Sequence, residues 1–230
     1  MPHDPDAMML FAAGFGTRMR PLTDTVPKPL IEVGGRALID HTLDLARALD
    51  PRVIVVNGHY RAAQLATHLA GSGVIFRHET PDILDTGGGL KAALPDLGDG
   101  PVYTSNTDAI WSGPNPFRVL RDNWDAERMD ALLLCVPVAN ANSHAGNGDF
   151  TLGSNGRLAR GPGLVFGGVQ IIQQDPVMRT NGTVFSLNRT WDQIAADGRL
   201  FGVSYTGSWC DVGSPAGIAQ AERMLESPDV

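Results

Sequence analysis

Apolar and polar positions follow two rhythms along this chain. Short, nearly unbroken apolar runs at 8–12, 52–56 (RVIVV), 74–77, 101–105 and 131–138 have the length and flanking turn residues of buried strands. Between them, apolar residues recur at helical spacing. Over 37–49, Ile39, Leu43 and Ala46 mark one stripe, with Leu38, Leu45 and Leu49 beside it. The same spacing predicts helices over 62–69, from Gly87 to near Pro95, and over 116–124, 184–196 and 216–225. Further strands are expected at 165–172 and 200–205, and a hairpin at 148–157 with its turn at Ser154-Asn155-Gly156. Strands that alternate with helices predict a doubly wound α/β fold with a mixed, mostly parallel sheet. With no repeats, low-complexity tracts or long linkers, one domain over 1–230 is expected.

The sheet class changes how the polar residues are read, because open α/β sheets bind ligands outside the carboxyl ends of their strands. The loop after the first strand, Asn57-Gly58-His59, the Asp85 region and Asp108 all follow such ends. They are expected to meet in one cleft.

Charge and cysteine content narrow the ligand. The 230 residues carry a net charge of -7, which disfavours general binding of nucleic acid or an anionic membrane surface. The first residues lack a basic, apolar leader, and no apolar run is long enough to span a bilayer, so a cytoplasmic protein is expected. Two cysteines, Cys135 and Cys210, make no disulfide framework. Against this acidic background, Gly14 to Arg36 is locally positive, with Arg18, Arg20, Lys28 and Arg36 against Asp24 and Glu32. Gly14 and Gly16 let backbone amides approach a ligand, while Pro21, Pro27 and Pro29 stiffen the loop. Cations and spare amides on stiff backbone suit a polyphosphate. Lys28 is one of only two lysines, the other being Lys91. A retained lysine in an arginine-rich chain points to a need for a compact ammonium.

Two phosphate motifs are absent: there is no G-x-x-x-x-G-K-[ST], and Met19 stands where a dinucleotide fingerprint has its third glycine. Leu10 to Thr23 (LFAAGFGTRMRPLT), followed by Pro27-Lys28-Pro29-Leu30, instead resembles the opening of the sugar-1-phosphate nucleotidyltransferases. Asn106-Thr107-Asp108 resembles that family's Asn-Gly-Asp motif, with Thr107 where glycine is usual and the backbone correspondingly crowded. Trp209-Cys210-Asp211-Val212-Gly213-Ser214-Pro215 resembles its Trp-x-Asp-x-Gly-[ST]-Pro segment, and Asp85-Thr86-Gly87-Gly88-Gly89 its E-T-G-G-G segment. His144 to Phe150 (HAGNGDF) resembles the H-x-x-G-D-F stretch of a small branch, the N-acetylmuramate α-1-phosphate uridylyltransferases. Phe166-Gly167-Gly168-Val169 is similar to the family's F-[TS]-G-I strand.

The resemblance implies a Rossmann-like, GT-A-like fold without a C-terminal β-helix extension. It also implies transfer of a nucleotidyl group from a nucleoside triphosphate to a sugar 1-phosphate. Asp108 and Asp211 would hold Mg2+; read alone, each is more often a turn or cap aspartate. Arg18, Lys28 and Asp108 would be catalytic. Ala12, Ala13, Gly14, Gly16, Thr17, Arg18, Asn57, Asp85, Gly87 and Gly88 would bind the nucleotide, with the glycines lying against the base. Asn106, Gly148, Asp149 and Gly168 would bind the sugar phosphate, and amides around Gly146 and Gly148 would receive a lactyl carboxylate. UTP with N-acetylmuramic acid 1-phosphate is favoured. GTP with mannose 1-phosphate is the alternative within the class, and a non-catalytic nucleotide-binding regulator the alternative outside it. Cys135, Trp111, Trp124 and Trp191 are expected to be packing residues.

Overall fold

The computed structural model describes residues 4–226, so the ends of the expected 1–230 unit lie outside the described residues. In chain order the first elements are β1 (Ala7–Phe11), the short β2 (Glu32–Val33) and β3 (Arg36–Ala37), and α1 (Leu38–Arg47). Next come β4 (Val53–Gly58), α2 (Ala62–His68), β5 (Ile75–His78), α3 (Asp85–Leu97) and β6 (Val102–Asn106). Then follow β7 (Ala109–Ser112), α4 (Pro116–Asn123), β8 (Ala131–Pro137), β9 (Ala141–Asn142), β10 (Phe150–Leu152), β11 (Leu158–Arg160) and β12 (Leu164–Ile172). The last are α5 (Gln174–Arg179), α6 (Leu187–Ala196), β13 (Leu200–Ser204), β14 (Ser208–Asp211) and α7 (Pro215–Glu226).

The main sheet is mixed and mostly parallel, as the sequence predicts. β5, β4, β1 and β6 lie side by side and parallel, so the chain winds outward one way from β1 and then reverses to reach β6. The crevice between β1 and β6 is therefore the topological switch point, where such sheets leave room for a ligand. Antiparallel β12 follows β6 and carries β8 on its other edge, with β13 parallel beyond it. The pairing of β12 with β8 shifts register between Phe166 and Gln170. Gly167 and Gly168 make the shift possible: a Cβ on Gly167 would stand 2.6 Å from the Trp111 ring, and Gly168 has a φ of +87°.

Alternate residues of β1 feed the two faces of the sheet, as a period of two requires. Met8 and Leu10 pack with Ile39, Leu43, Leu65, Phe117 and Leu120 of α1, α2 and α4. Ala7 and Met9 pack with Leu90, Leu94, Val177, Trp191 and Ile194 of α3, α5 and α6. Burying a side chain of this size contributes about 1.5–3 kcal/mol, so both faces anchor the strand that leads into the opening loop. A third cluster joins Met19, Ile31, Val33 and Leu38 to Ile110, Cys210, Val212 and Ala221. It backs that loop with the small sheet β7–β14–β9 and with α7.

Several boundaries differ from the sequence-based expectation. β4 runs on through Asn57 and Gly58, which pair with Arg77 and His78, so the chain leaves the strand only at His59, two residues later than expected. Only glycine fits at 58, because a Cβ would meet the Phe76 ring at 2.7 Å. α3 starts at Asp85 and continues through Pro95 to Leu97, while α6 starts at Leu187 after the Ser186 cap. The helix α5 and the small sheet formed by β7 and β14 were not expected. Their short segments lack a strong period of their own; β7 and β14 are stabilised by pairing with each other, and α5 by packing against α3 and α6.

Candidate active site

The site is built outward from the end of β1. Asn57 Oδ1 accepts the Ala12 amide at 2.8 Å, and Asn57 Nδ2 donates to Glu79 Oε1 at 2.7 Å. Glu79 Oε2 accepts the Leu84 amide at 2.8 Å, so one buried carboxylate fixes both the opening loop and the entry to α3. The third glycine of the triple, Gly89, is needed here: a Cβ would lie 2.6 Å from Glu79 Oε1. His59 Nδ1 meets the Glu79 carbonyl at 2.9 Å and completes this scaffold.

A cavity opens at the switch point. Ala12, Ala13, Gly14, Lys28, Asn57, Asp85, Asn106 and Asp108 are among its lining residues. Gly14 is exposed there, a Cβ on it would meet nothing within 4 Å, and its φ lies outside the left-handed region. The other described glycines with open space (Gly35, Gly71 and Gly73) have positive φ. Gly14 alone among them has neither a steric nor a conformational reason within the chain. Gly16, Thr17 and Arg18 form the next turn outside the cavity. Gly16 has a φ of +63°, and a Cβ would strike Thr23 Cγ2 at 2.8 Å.

Gly87 and Gly88 differ from the expected role. They face away from the cavity, and both their amides donate to the Phe185 carbonyl, at 2.9 and 3.0 Å. Added Cβ atoms would meet the Phe185 ring at 2.3 Å and the Thr183 carbonyl oxygen at 2.1 Å. These glycines seat the segment before α6 against α3 and offer no flat surface for a base. Thr107 likewise crowds nothing: its hydroxyl donates to the Phe11 carbonyl at 2.8 Å and ties β6 to β1.

The charged cluster forms where the main sheet meets the small one. Asp108 lies between β6 and β7, and Asp211 ends β14 opposite Ala109. The Val212 amide donates to the Asp108 carbonyl at 2.9 Å, which locks the two aspartates side by side. Lys28 Nζ donates to Asp108 Oδ2 at 2.6 Å, with the lysine side chain only 12% exposed. Arg18 Nη1 lies 3.8 Å from Asp211 Oδ2 and is 72% exposed. Gly213 clears its path, since a Cβ would stand 2.9 Å from Arg18 Nη1. Burial first, and then the charge of Asp108, raise the Asp211 carboxyl above the usual carboxylate range; Lys28, Arg18 and His144 oppose the shift.

Two crowded carboxylates with only oxygen donors fit a hard divalent cation, which takes one or two carboxylates and fills its shell with water and phosphate oxygens. The repulsion that helps to raise Asp211 is what such a cation relieves. Among the described residues no group of three or more His, Cys, Asp and Glu comes together, so no all-protein cage is formed. None of the described helices is long and apolar enough to cross a membrane.

A second cavity adjoins the first, and Phe11, Asp85, Thr86 and Asn106 line both. Asp149 and Gly168 line it as well. Gly148 is not on its wall: a Cβ there would meet the Gly163 amide nitrogen at 2.7 Å, so it packs the hairpin against β12. The floor carries a buried chain of hydrogen bonds, with Trp191 Nε1 donating to Gln170 Oε1 at 2.8 Å and Gln170 Nε2 to Thr104 Oγ1 at 3.0 Å. Trp191 is therefore more than the packing residue expected. Trp111 does pack, edge to face on Tyr205 at 4.9 Å between centroids. Lys91 serves the fold, donating to the Thr180 carbonyl at 2.8 Å.

Comparison with known proteins gives a consistent result. A family profile described as MobA-like NTP transferase domain matches residues 8–147. The chain is 38% identical to N-acetylmuramate alpha-1-phosphate uridylyltransferase of Caulobacter vibrioides, over 98% of this chain and 99% of that one. It is 30% identical to the protein of the same description from Neisseria meningitidis serogroup B, over 94% and 96%. Among solved structures, CTP:phosphocholine cytidylyltransferase from Streptococcus pneumoniae superposes with a TM-score of 0.74 over 97% of this chain and all of that one. At 16% identity, that is a likeness of fold.

Proposed function

The chain belongs to the MobA-like NTP transferase family, and on that premise we propose that it transfers a uridylyl group from UTP to N-acetylmuramic acid 1-phosphate. The products are the UDP-sugar and pyrophosphate. The observation that carries this reading is the pair of cavities sharing one wall, with the charged cluster at the mouth of the first. A two-substrate transfer needs two adjoining sites, and holding both reactants in line supplies much of its rate.

A phosphate oxygen of the sugar 1-phosphate attacks the α-phosphorus. The new P–O bond forms as the bond to the pyrophosphate oxygen breaks, and that electron pair leaves with pyrophosphate. The attacking oxygen is already anionic, so no residue has to take a proton. Asn57 holds the Ala12 amide on the nucleotide loop, and Gly14 lets the nucleotide approach the backbone. Lys28, nearly buried and oriented by Asp108, presents a fixed ammonium to the phosphates, where a preorganised charge is worth more than in water. Arg18, exposed at the rim, would meet the departing β/γ portion. Asp108 and Asp211 would hold Mg2+, which when bound neutralises phosphate charge and polarises the α-phosphoryl group.

The test is pyrophosphate release with UTP and GTP, each against the 1-phosphates of N-acetylmuramic acid, N-acetylglucosamine and mannose. The highest kcat/KM is expected for UTP with the muramic substrate. A win for GTP with mannose 1-phosphate would transfer the reading to a mannose-1-phosphate guanylyltransferase. Nucleotide binding without turnover of any pair would leave a regulator.

A further inference from the structure

The second cavity contains one feature that nothing above uses. Arg160, at the end of β11, is the only cation among its lining residues, and two carboxylates, Asp85 and Asp149, line it too. The guanidinium is held in place by the protein alone. Its carbon lies 4.7 Å from the centre of the Phe150 ring and 5.8 Å from that of Trp191. Nε and Nη2 donate to Asp192 Oδ1 at 3.2 and 3.0 Å, and Nη2 donates to Asn188 Oδ1 at 2.8 Å. Among the described residues Nη1 makes no hydrogen bond, so that end of the fork keeps donors to offer. A plain surface ion pair with Asp192 would need neither the two aromatic rings nor a place on the cavity wall. Asp149, the nearest objection, is partly occupied: its Oδ2 accepts the Phe166 amide at 2.9 Å.

We propose that Arg160 is the residue that reads the carboxylate of the sugar substrate, and so sets the preference for a carboxylate-bearing sugar over its neutral parent. This rests on the function proposed above and replaces the expectation that amides near Gly146 and Gly148 do this work. An always-charged guanidinium whose Nη1 hydrogens are both free among the described residues can donate a charge-assisted hydrogen bond to a carboxylate oxygen. Rings and side chains hold it before any ligand arrives, which lowers the cost of ordering it on binding. The buried Trp191–Gln170–Thr104 chain beneath would steady the sugar by its polar groups, leaving charge recognition to Arg160.

The experiment measures one ratio: kcat/KM with N-acetylmuramic acid 1-phosphate over kcat/KM with N-acetylglucosamine 1-phosphate, both with UTP. Wild type, Arg160→Gln and Arg160→Lys are compared, each first checked for a native thermal transition. Arg160→Gln should lower the ratio about 100-fold, less than for a fully buried polar contact because the arginine is half exposed. Arg160→Lys, which keeps charge and loses the fork, should fall between. If wild type prefers the muramic substrate and both variants keep the ratio within about threefold of it, Arg160 does not read the carboxylate, whatever the overall loss of rate. If wild type itself shows no preference, the substrate assignment falls first and this inference with it. If only Arg160→Lys folds, an unchanged ratio in that variant overturns the proposal and a lowered one supports it.

Discussion

Replacing Gly14 with alanine separates what the chain needs from what its substrate needs. Within the protein a methyl at this position meets nothing, and the backbone there is not in the left-handed region. Removing a glycine at a compatible conformation reduces the entropy of the unfolded chain and stabilises by about 0.4–1 kcal/mol. For 230 residues that is a rise in Tm of roughly 1–4 °C. Activity should move the other way. The methyl would stand on the wall of the cavity that Lys28 and Asp108 also line, where the proposed function brings the nucleotide against the backbone. Displacing a reactant by about 1 Å costs on the order of 100-fold in rate. The control is Gly88→Ala, whose Cβ would stand 2.1 Å from the Thr183 carbonyl oxygen and must push backbone aside. It should lose about 1–3 kcal/mol of stability. A thermal melt without ligand and pyrophosphate release from UTP with N-acetylmuramic acid 1-phosphate give both numbers for each variant. A Gly14→Ala protein that melts several degrees lower would show that the glycine serves the fold. One that melts higher and keeps full kcat/KM would show that no substrate comes near it.

Other outcomes follow from the same geometry. Asp108→Asn and Asp211→Asn should each lose most pyrophosphate release while keeping a native melt, and near wild-type turnover at limiting magnesium would remove that residue from the metal assignment. Lys28→Ala should lower kcat strongly; a rise in KM alone would reduce the lysine to a binding role. Glu79→Ala should cost about 2–4 kcal/mol in denaturant unfolding, because it strands the buried Asn57 amide and the Leu84 N–H, and an unchanged midpoint would contradict the scaffold described. Both cysteines should resist a thiol reagent at pH 8 until denaturant is added. Burial pushes the Cys135 thiol up to about 12 and raises that of Cys210, so neither is a thiolate there, and fast native labelling would refute their burial.

The alternation of strands and helices was legible because each element carries its own period: Met8 to Leu10 and the Ile39–Leu43–Ala46 stripe declare their faces without help from the rest of the chain. Asp108, Asp211, Lys28 and Gly14 stood out because they occupy recognisable short motifs. Glu79 could not be found that way. It sits in no motif, and its role is to bridge Asn57 and Leu84 across a fold that the local sequence does not describe. The triple glycine was visible but open to misreading, since a glycine says that something comes close without saying whether it is ligand or chain. At 87 and 88 it is Phe185 and Thr183, nearly a hundred residues away. Arg160 lies beyond the expected 148–157 hairpin and in no motif, and only the closing of β11 beside α6 gives it a cavity to face.

The packing of Met19, Ile31 and Leu38 against Ile110, Cys210, Val212 and Ala221 bears on how the protein is made. The cation-bearing loop is synthesised long before its hydrophobic backing, which comes largely from β14 and α7. Asp211 arrives on the same late stretch. The parallel strands β5, β4, β1 and β6 are all synthesised before β8, β12 and β13 and can pair as they emerge. A nascent chain therefore passes through a long interval in which it has a sheet and a crevice but no finished reaction centre. Chains released before β14 would lack Asp211 and the backing of the loop however well that sheet had formed, so that a complete charged cluster, more than a formed sheet, reports that synthesis passed β14.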